Sequence, residues 1–468
     1  MTTPSREHRR ERGNDTRLSL LWSSTRDSLW FIPTLCTVAA VVLAIVIVRL
    51  DAGWDLVGAL GGVLFSGGAD GARGVLSAVA GSLITVTGVV FSVTIVALQL
   101  ASSQFTPRVL RGFMADRPNQ IVLGIFIGTF TYSVMVLRSV TGEDDNEAAF
   151  VPEVAVTLAI VLVLVSIGAL IYFIDHAARS IQAGVILARE TEHTLHRIDR
   201  IFPRDVGTAA APRPAEPPTA PAGIVLADSS GYLLAVHADG LFELAEERRM
   251  TIRMEPPIGG FVLPGEALVS IWPKSAVDAK LIESVRESFM LGQERTPEQD
   301  AELGIIVIAD MAVRALSPGI NDPTTAMLCI DRLSEILARL GGVEEPVPVR
   351  VGEDGSVRLF TRLTTFDRAV SLAFDQIRFF GAENPSIAKK LLDALRRLGA
   401  LVPAPHRRPL VDEVEQTLEQ VRRSNPPGGD LRLIERLGAE CLAALRDGAP
   451  PPGEGAAPDT QRKSLTHR

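Results

Sequence analysis

Ser77, Gly81, Thr85, Gly88, Ser92, Gln99 and Ser103 stand at helical intervals within one apolar stretch, which places them along a single narrow stripe. Hydroxyl and amide groups carry a desolvation cost in hydrocarbon, so the stripe is expected to face another helix or water instead of acyl chains. Two kinds of chemistry fit. Glycine and serine let helix backbones approach while threonine and glutamine bond across the contact, which makes a packing seam. Alternatively, symmetry-related copies of the stripe surround a water path and line a pore for a small ion.

A second constellation lies far down the chain, in Ala315-Leu316-Ser317-Pro318-Gly319-Ile320-Asn321-Asp322-Pro323-Thr324-Thr325-Ala326. Gly319 is expected to supply a turn, Asp322 to cap a helix, and Pro323 to take its first position, where a missing N–H costs nothing. The amides after Pro323 and the hydroxyls of Thr324 and Thr325 suit an anionic ligand. The Asp322 carboxylate opposes one. The loop of Ser317, Gly319, Asn321, Asp322, Thr324 and Thr325 therefore reads first as a helix cap and second as a ligand or interface site.

Arg108 and Arg111 follow the stripe after Thr106-Pro107 and are expected at headgroup level, in contact with anionic lipid. His193 and His196 have half of a zinc spacing with no second pair of ligands, so no metal is expected there. Phosphate-cradling, dinucleotide, metalloprotease, nucleophile-elbow and paired Cys-x-x-Cys patterns are missing or lack their context. Asp310 and Arg314 stand four apart and read as a local ion pair. No catalytic residue and no cofactor are expected. Cys36, Cys329 and Cys441 lie too far apart in sequence to imply a disulfide framework. A net charge of -8 without a clustered basic face argues against nucleic acid as a partner.

The elements that must position these residues begin in lipid. At 47% hydrophobic and 22% charged over 468 residues, with a mean hydropathy of +0.22, part of the chain is expected to lie outside water. Four apolar stretches have spanning length: Trp30 to Leu50, Val75 to Ala101, Ile121 to Val140 and Val154 to Ile174. Arginines flank them asymmetrically. Arg6, Arg9, Arg10, Arg12, Arg17 and Arg26 precede the first, Arg108, Arg111 and Arg117 lie between the second and third, and Arg179 and Arg189 follow the fourth. The loop between the third and fourth holds Glu143, Asp144, Asp145 and Glu147 instead. Positive residues near spans stay inside, so both termini are expected to be cytoplasmic. Residues 54 to 65 read as an interfacial helix, or alternatively a re-entrant segment.

The expected organisation is a basic tail (1–29), a four-helix transmembrane domain (30–174), a helical stalk (175–203) and a Pro/Ala-rich linker (204–222). A small β domain (223–273), a mostly helical domain (274–447) and a disordered tail (448–468) follow. Short alternating runs, among them Ile224 to Leu226, Leu241 to Leu244 and Ala267 to Ile271, predict hairpins closing into a barrel or sandwich. Beyond them, one-sided apolar periodicity predicts helices from Ala276 to Leu291, Pro297 to Ala315, Pro323 to Leu340, Phe366 to Phe380, Ser386 to Leu398, Val411 to Arg423 and Leu431 to Asp447. One strand pair, Val347 to Val351 and Ser356 to Thr361, interrupts them. The fold class is a membrane all-α domain of four transmembrane helices followed by a cytoplasmic α+β region.

The run from Gly71 to Gly112, GARGVLSAVAGSLITVTGVVFSVTIVALQLASSQFTPRVLRG, with ALSPGINDPTTA from Ala315 and SLWFIPTL before the first span, closely resembles the bacterial membrane family DUF2254. The resemblance covers nearly the whole chain apart from the two tails and the linker. It implies a polytopic inner-membrane protein with a cytoplasmic domain, and it supplies no catalytic residues. Two functions remain in view. One is an oligomeric ion channel or transporter, its homo-oligomer built around the second span and gated by the cytoplasmic domain. The other is a membrane-anchored sensor or scaffold for a cytoplasmic ligand or protein.

Overall fold

The computed structural model describes residues 30–53, 65–105, 116–142, 150–201, 216–296, 299–342 and 349–447. The basic tail, nearly all of segment 54–65, Arg108 and Arg111, the acidic loop, much of the linker and the C-terminal tail lie outside the described residues. The chain divides into two compact units, Met1–Ile186 and Leu187–Arg468.

The first unit contains α1 (Phe31–Gly53), α2 (Ala69–Gln104), α3 (Arg117–Leu137) and α4 (Glu153–Ser180). All four are long and apolar enough to cross a membrane. α2 is the longest at 36 residues. The central helix is α3, on which α1, α2 and α4 all pack; half of its apolar window is buried, against 17% for α1 and α2. Its sequence explains the position. Gly124 and Gly128 form a small-xxx-small pair that admits α1 closely: a Cβ on Gly124 would lie 2.8 Å from Cys36 Sγ, and one on Gly128 3.4 Å from the Cys36 carbonyl oxygen. Around them Ala40, Ala44, Ala72, Leu76, Tyr132, Val136, Ala155 and Ala159 form one core layer. Val79, Leu83, Val90, Val122, Phe126 and Phe173 form the next.

At one end of this unit Asp51 of α1 satisfies the start of α4, its Oδ2 accepting from the backbone N–H groups of Val154 (3.0 Å) and Ala155 (3.1 Å). Those amides have no partner within their own helix, so a carboxylate from a neighbouring span completes them. Tyr132, fully buried on α3, donates to the Ala155 carbonyl at 3.0 Å. α4 ends at Ser180 and a separate helix, α5 (Ala183–Ile201), follows it. The Ser180 hydroxyl donates to the Ala177 carbonyl at 3.0 Å, the kind of local bond that competes with the helical ladder where the break occurs.

The second unit builds two sheets around one core. Strands β1 (Gly223–Leu226), β5 (Ala267–Trp272), β3 (Thr251–Met254), β8 (Val357–Phe360) and β7 (Val349–Val351) lie side by side in that order. β4 (Phe261–Val262), β2 (Gly231–Val236) and β6 (Phe289–Gly292) form the second sheet. Val225, Leu233, Ile252, Val262, Ile271 and Leu359 fill the space they share. Both sheets keep free edges among the described strands, so of the expected barrel or sandwich the closed barrel does not form, and two open sheets share one core. Nor is this unit confined to residues 223–273, because β3 pairs in parallel with β8, Ile252 opposite Leu359.

Two expected elements change type. Leu241 to Leu244 lies inside α6 (Ala238–Glu247), where Leu241, Leu244 and Ala245 bury one helical face. The expected helix to Leu291 stops as α7 (Ala279–Glu287) and continues as β6, which pairs with β2. The remaining helices are α8 (Ala301–Ala315), α9 (Pro323–Gly341), α10 (Phe366–Gly381), α11 (Pro385–Leu401), α12 (Arg407–Ser424) and α13 (Gly428–Asp447). The distal part of α5 packs with them. A Cβ on Gly304 of α8 would stand 1.9 Å from Thr194 Oγ1, and the Arg339 guanidinium of α9 grips Asp199.

Candidate functional site

α2 turns two different faces outward and inward. Ala72, Leu76, Val79, Ala80, Leu83, Val90, Ala97 and Ala101 are buried, whereas Ser77, Gly81, Thr85, Gly88, Ser92, Gln99 and Ser103 lie on its outer side, most of them exposed. The polar stripe is thus one surface, as its spacing predicts, and the chain's other spans leave it largely uncovered. A Cβ added to Gly74, Gly81 or Gly88 would meet nothing within 4 Å. These three glycines recur every seventh residue, and Ala78, Thr85 and Ser92 follow each by four, the alternation of a left-handed helix seam.

Three of the four stripe hydroxyls, however, need no outside partner. Thr85 Oγ1 donates to the Gly81 carbonyl (2.9 Å), Ser92 Oγ to Gly88 (2.9 Å) and Ser103 Oγ to Leu100 (3.0 Å). Such back-bonding meets their desolvation cost inside the helix. The demand for company other than lipid therefore rests on the Ser77 hydroxyl, the Gln99 amide and the glycine notches.

Most of the buried polar side chains among the described residues of the first unit belong to α3, which the spacing of polar residues along the spans does not single out. Asn119, Gln120, Thr129 and Ser133 of α3 and Ser166 of α4 are buried, with Ser166 Oγ 3.3 Å from Thr129 Oγ1. At the start of α3, Asp116 Oδ2 lies 2.6 Å from His176 Nε2 of α4, and Tyr172 stacks on that imidazole at 5.6 Å between centroids. The signal is present in the sequence as Gly124-x-x-x-Gly128 with Thr129 and Ser133 following.

In the second unit the loop before α9 is a cap. Asp322 Oδ1 accepts from the Thr325 backbone N–H at 3.0 Å and Oδ2 from the Thr325 hydroxyl at 2.5 Å. The bonds from the Thr325 hydroxyl and then its amide hold the Asp322 carboxyl below the usual carboxylate range. Ser317 Oγ donates to the Arg314 carbonyl at 2.7 Å, while Thr324 is exposed. Gly319 lies in a turn closed by the Ile320 N–H donating to the Ser317 carbonyl at 3.0 Å, and the residue in the left-handed region is Asn321 (φ 50°), a type that tolerates that conformation. Asp322→Ala is expected to cost about 1 kcal/mol. A lowered pKa makes this contribution present above the ordinary carboxylate pKa and lost in acid, so denaturant midpoints of the two proteins should converge as pH falls.

Among the described residues no group of three His, Cys, Asp or Glu side chains is placed to hold a metal. His196 stands 3.8 Å from Glu192 on an exposed face, beside a groove lined by Thr191, Leu195, Asp199, Arg332 and Glu335. Deeply buried carboxylates in this unit are paired with arginine. Arg295 clamps Asp300 through two bonds of 2.6 and 2.8 Å, and Asp300 also caps α8. Glu413 of α12 accepts from Arg378 of α10 at 2.9 Å.

A family model described as "Predicted membrane protein (DUF2254)" matches residues 26–397. An uncharacterized protein of Mycobacterium tuberculosis and another of Mycobacterium bovis are each 35% identical over 401 residues, covering 83% of this chain and 76% of theirs. No solved structure matches.

Proposed function

Because the chain belongs to the DUF2254 family of predicted membrane proteins, we propose that it works as an oligomeric ion channel or transporter of the bacterial cytoplasmic membrane. Copies associate along the exposed stripe of α2, and the second unit serves as a cytoplasmic regulatory domain. The observation that carries this reading is the outward placement of Ser77, Gly81, Thr85, Gly88, Ser92, Gln99 and Ser103 on a helix whose apolar face is already used. A single copy leaves the Gln99 amide and three glycine notches facing acyl chains, and a second copy covers both. The arginine distribution supports cytoplasmic termini, and the same reading places Arg108 and Arg111 against anionic headgroups.

Purified protein reconstituted in liposomes should conduct a small ion, with Ser92→Leu and Gln99→Leu removing most of the flux. In the same vesicles Gly81→Cys and Gly88→Cys should cross-link between copies, while Val93→Cys, on another exposed face, should not. Cross-linking at the glycines without flux at any pH or voltage would favour the second reading, a membrane-anchored sensor or scaffold. The inward bonding of the stripe hydroxyls supports that alternative, since a seam needs no water. There the loop from Ser317 to Thr325 is the candidate contact for a cytoplasmic ligand or protein.

A further inference from the structure

The start of α3 holds a feature that neither the stripe nor the family assignment uses. Asn119 is 5% exposed, and among the described residues neither its Oδ1 nor its Nδ2 has a hydrogen-bond partner. A buried orphaned amide is rare and costly, and where it persists an ion or a water commonly completes it. Asp116 stands at the N-cap with extended backbone (φ -68°, ψ 106°) and Asn119 is the third residue of the helix, the two positions whose side chains lie next to each other at a helix start. The Asp116 side chain nevertheless makes no capping bond. Its Oδ2 is held by His176 Nε2 at 2.6 Å, with the carboxylate side chain 12% exposed.

The geometry points to a binding site for one monovalent cation of the Na+ or K+ class, held by Asp116 Oδ1 and Asn119 Oδ1. The donor set is oxygen from one carboxylate and one neutral amide, which suits a hard cation. One negative charge matches one positive charge. A divalent ion would leave a net charge in a partly buried, low-dielectric place, where uncompensated charge is expensive. A water in the ion's shell keeps a lone pair to accept from Asn119 Nδ2. His176 is a positioning residue, since its bond to Oδ2 fixes the carboxylate with Oδ1 turned to the ion, as carboxylate–imidazole pairs do around bound metals. The dipole at the start of α3 opposes a cation, which limits affinity without removing the site.

The test uses full-length protein in detergent, with Tm measured in NaCl, KCl or choline chloride at equal ionic strength. Wild type should melt higher in NaCl or KCl than in choline chloride, with a saturable dependence on the ion. Asn119→Leu and Asp116→Asn should abolish the difference. Asn119→Leu should melt no lower than wild type in choline chloride, because it replaces an unpartnered amide by an apolar group of similar size. His176→Gln should weaken half-saturation by about 10–100-fold, the usual effect of losing a residue that orients a ligand. Equal melting in all three salts, or a cation effect surviving in both Asn119→Leu and Asp116→Asn, would overturn the site. A larger stabilisation by MgCl2 at matched ionic strength would overturn its monovalent class.

Discussion

Gly304→Val should destabilise the second unit by about 3 kcal/mol, the upper range for forcing side-chain volume into a closed contact. The new Cβ alone would meet Thr194 Oγ1 at 1.9 Å and the Thr194 Cβ at 2.9 Å. Thr194 is fully buried and its hydroxyl is tied to the Glu190 carbonyl at 2.7 Å, so it has no room to rotate away. Thr194→Ala in the same chain removes Oγ1 and Cγ2 but leaves the Cβ contact. The double variant with Gly304→Ala should therefore recover part of the loss that Gly304→Ala shows alone. Chemical denaturation followed by circular dichroism reads both effects, and additive losses in the double variant would show that the two positions do not touch.

The second large effect is a stability that declines as pH rises. Glu413 is 3% exposed, and burial pushes its carboxyl from 4.5 up to about 8 against the opposing pull of the Arg378 guanidinium. Between those values the unfolded chain releases the proton while the folded chain retains it. The folded state thus binds more protons, and stability falls through that window. At about 1.4 kcal/mol for each tenfold change in proton affinity, the loss is on the order of 5 kcal/mol between acid and mildly alkaline solution. Glu413→Gln keeps an acceptor for Arg378, which also holds Asp375 at 2.7 Å, and should flatten the slope and raise stability at pH 8. Denaturant midpoints at pH 5 and pH 8 for both proteins provide the check. A wild-type midpoint that rises with pH would contradict the assignment.

What the residues disclosed depended on how local the determining physics is. Four spans were legible because apolarity sustained over about twenty residues matches the thickness of a bilayer and little else in a folded chain requires it. The Asp322 cap was legible for a similar reason, as every partner lies within three residues. The identity of the central helix was not, although Gly124 and Gly128 carry it, because glycines announce close approach without saying which neighbour approaches. The spacing of the stripe residues gives the side of α2 they share, but their residue types overstate its polarity, since Thr85 and Ser92 return their hydroxyls to their own helix's carbonyls. Leu241 to Leu244 is too short a run to distinguish strand from helix by period. The parallel pairing of Ile252 with Leu359 joins segments more than a hundred residues apart, and no local pattern encodes such a partnership. The Asp116–His176 contact is hidden likewise, its members sixty residues apart on different helices.

A rod of 36 residues is about 54 Å long, nearly twice the roughly 30 Å of lipid chains it crosses. α2 must therefore lean or protrude to span such a layer, and in the oligomer proposed above either choice would tie the overlap of its glycine notches with a second copy to the thickness of the surrounding bilayer. Longer acyl chains would stand the rods upright and lengthen their shared register. Shorter ones would splay them, so that lipid composition becomes a lever on assembly acting far from any ligand.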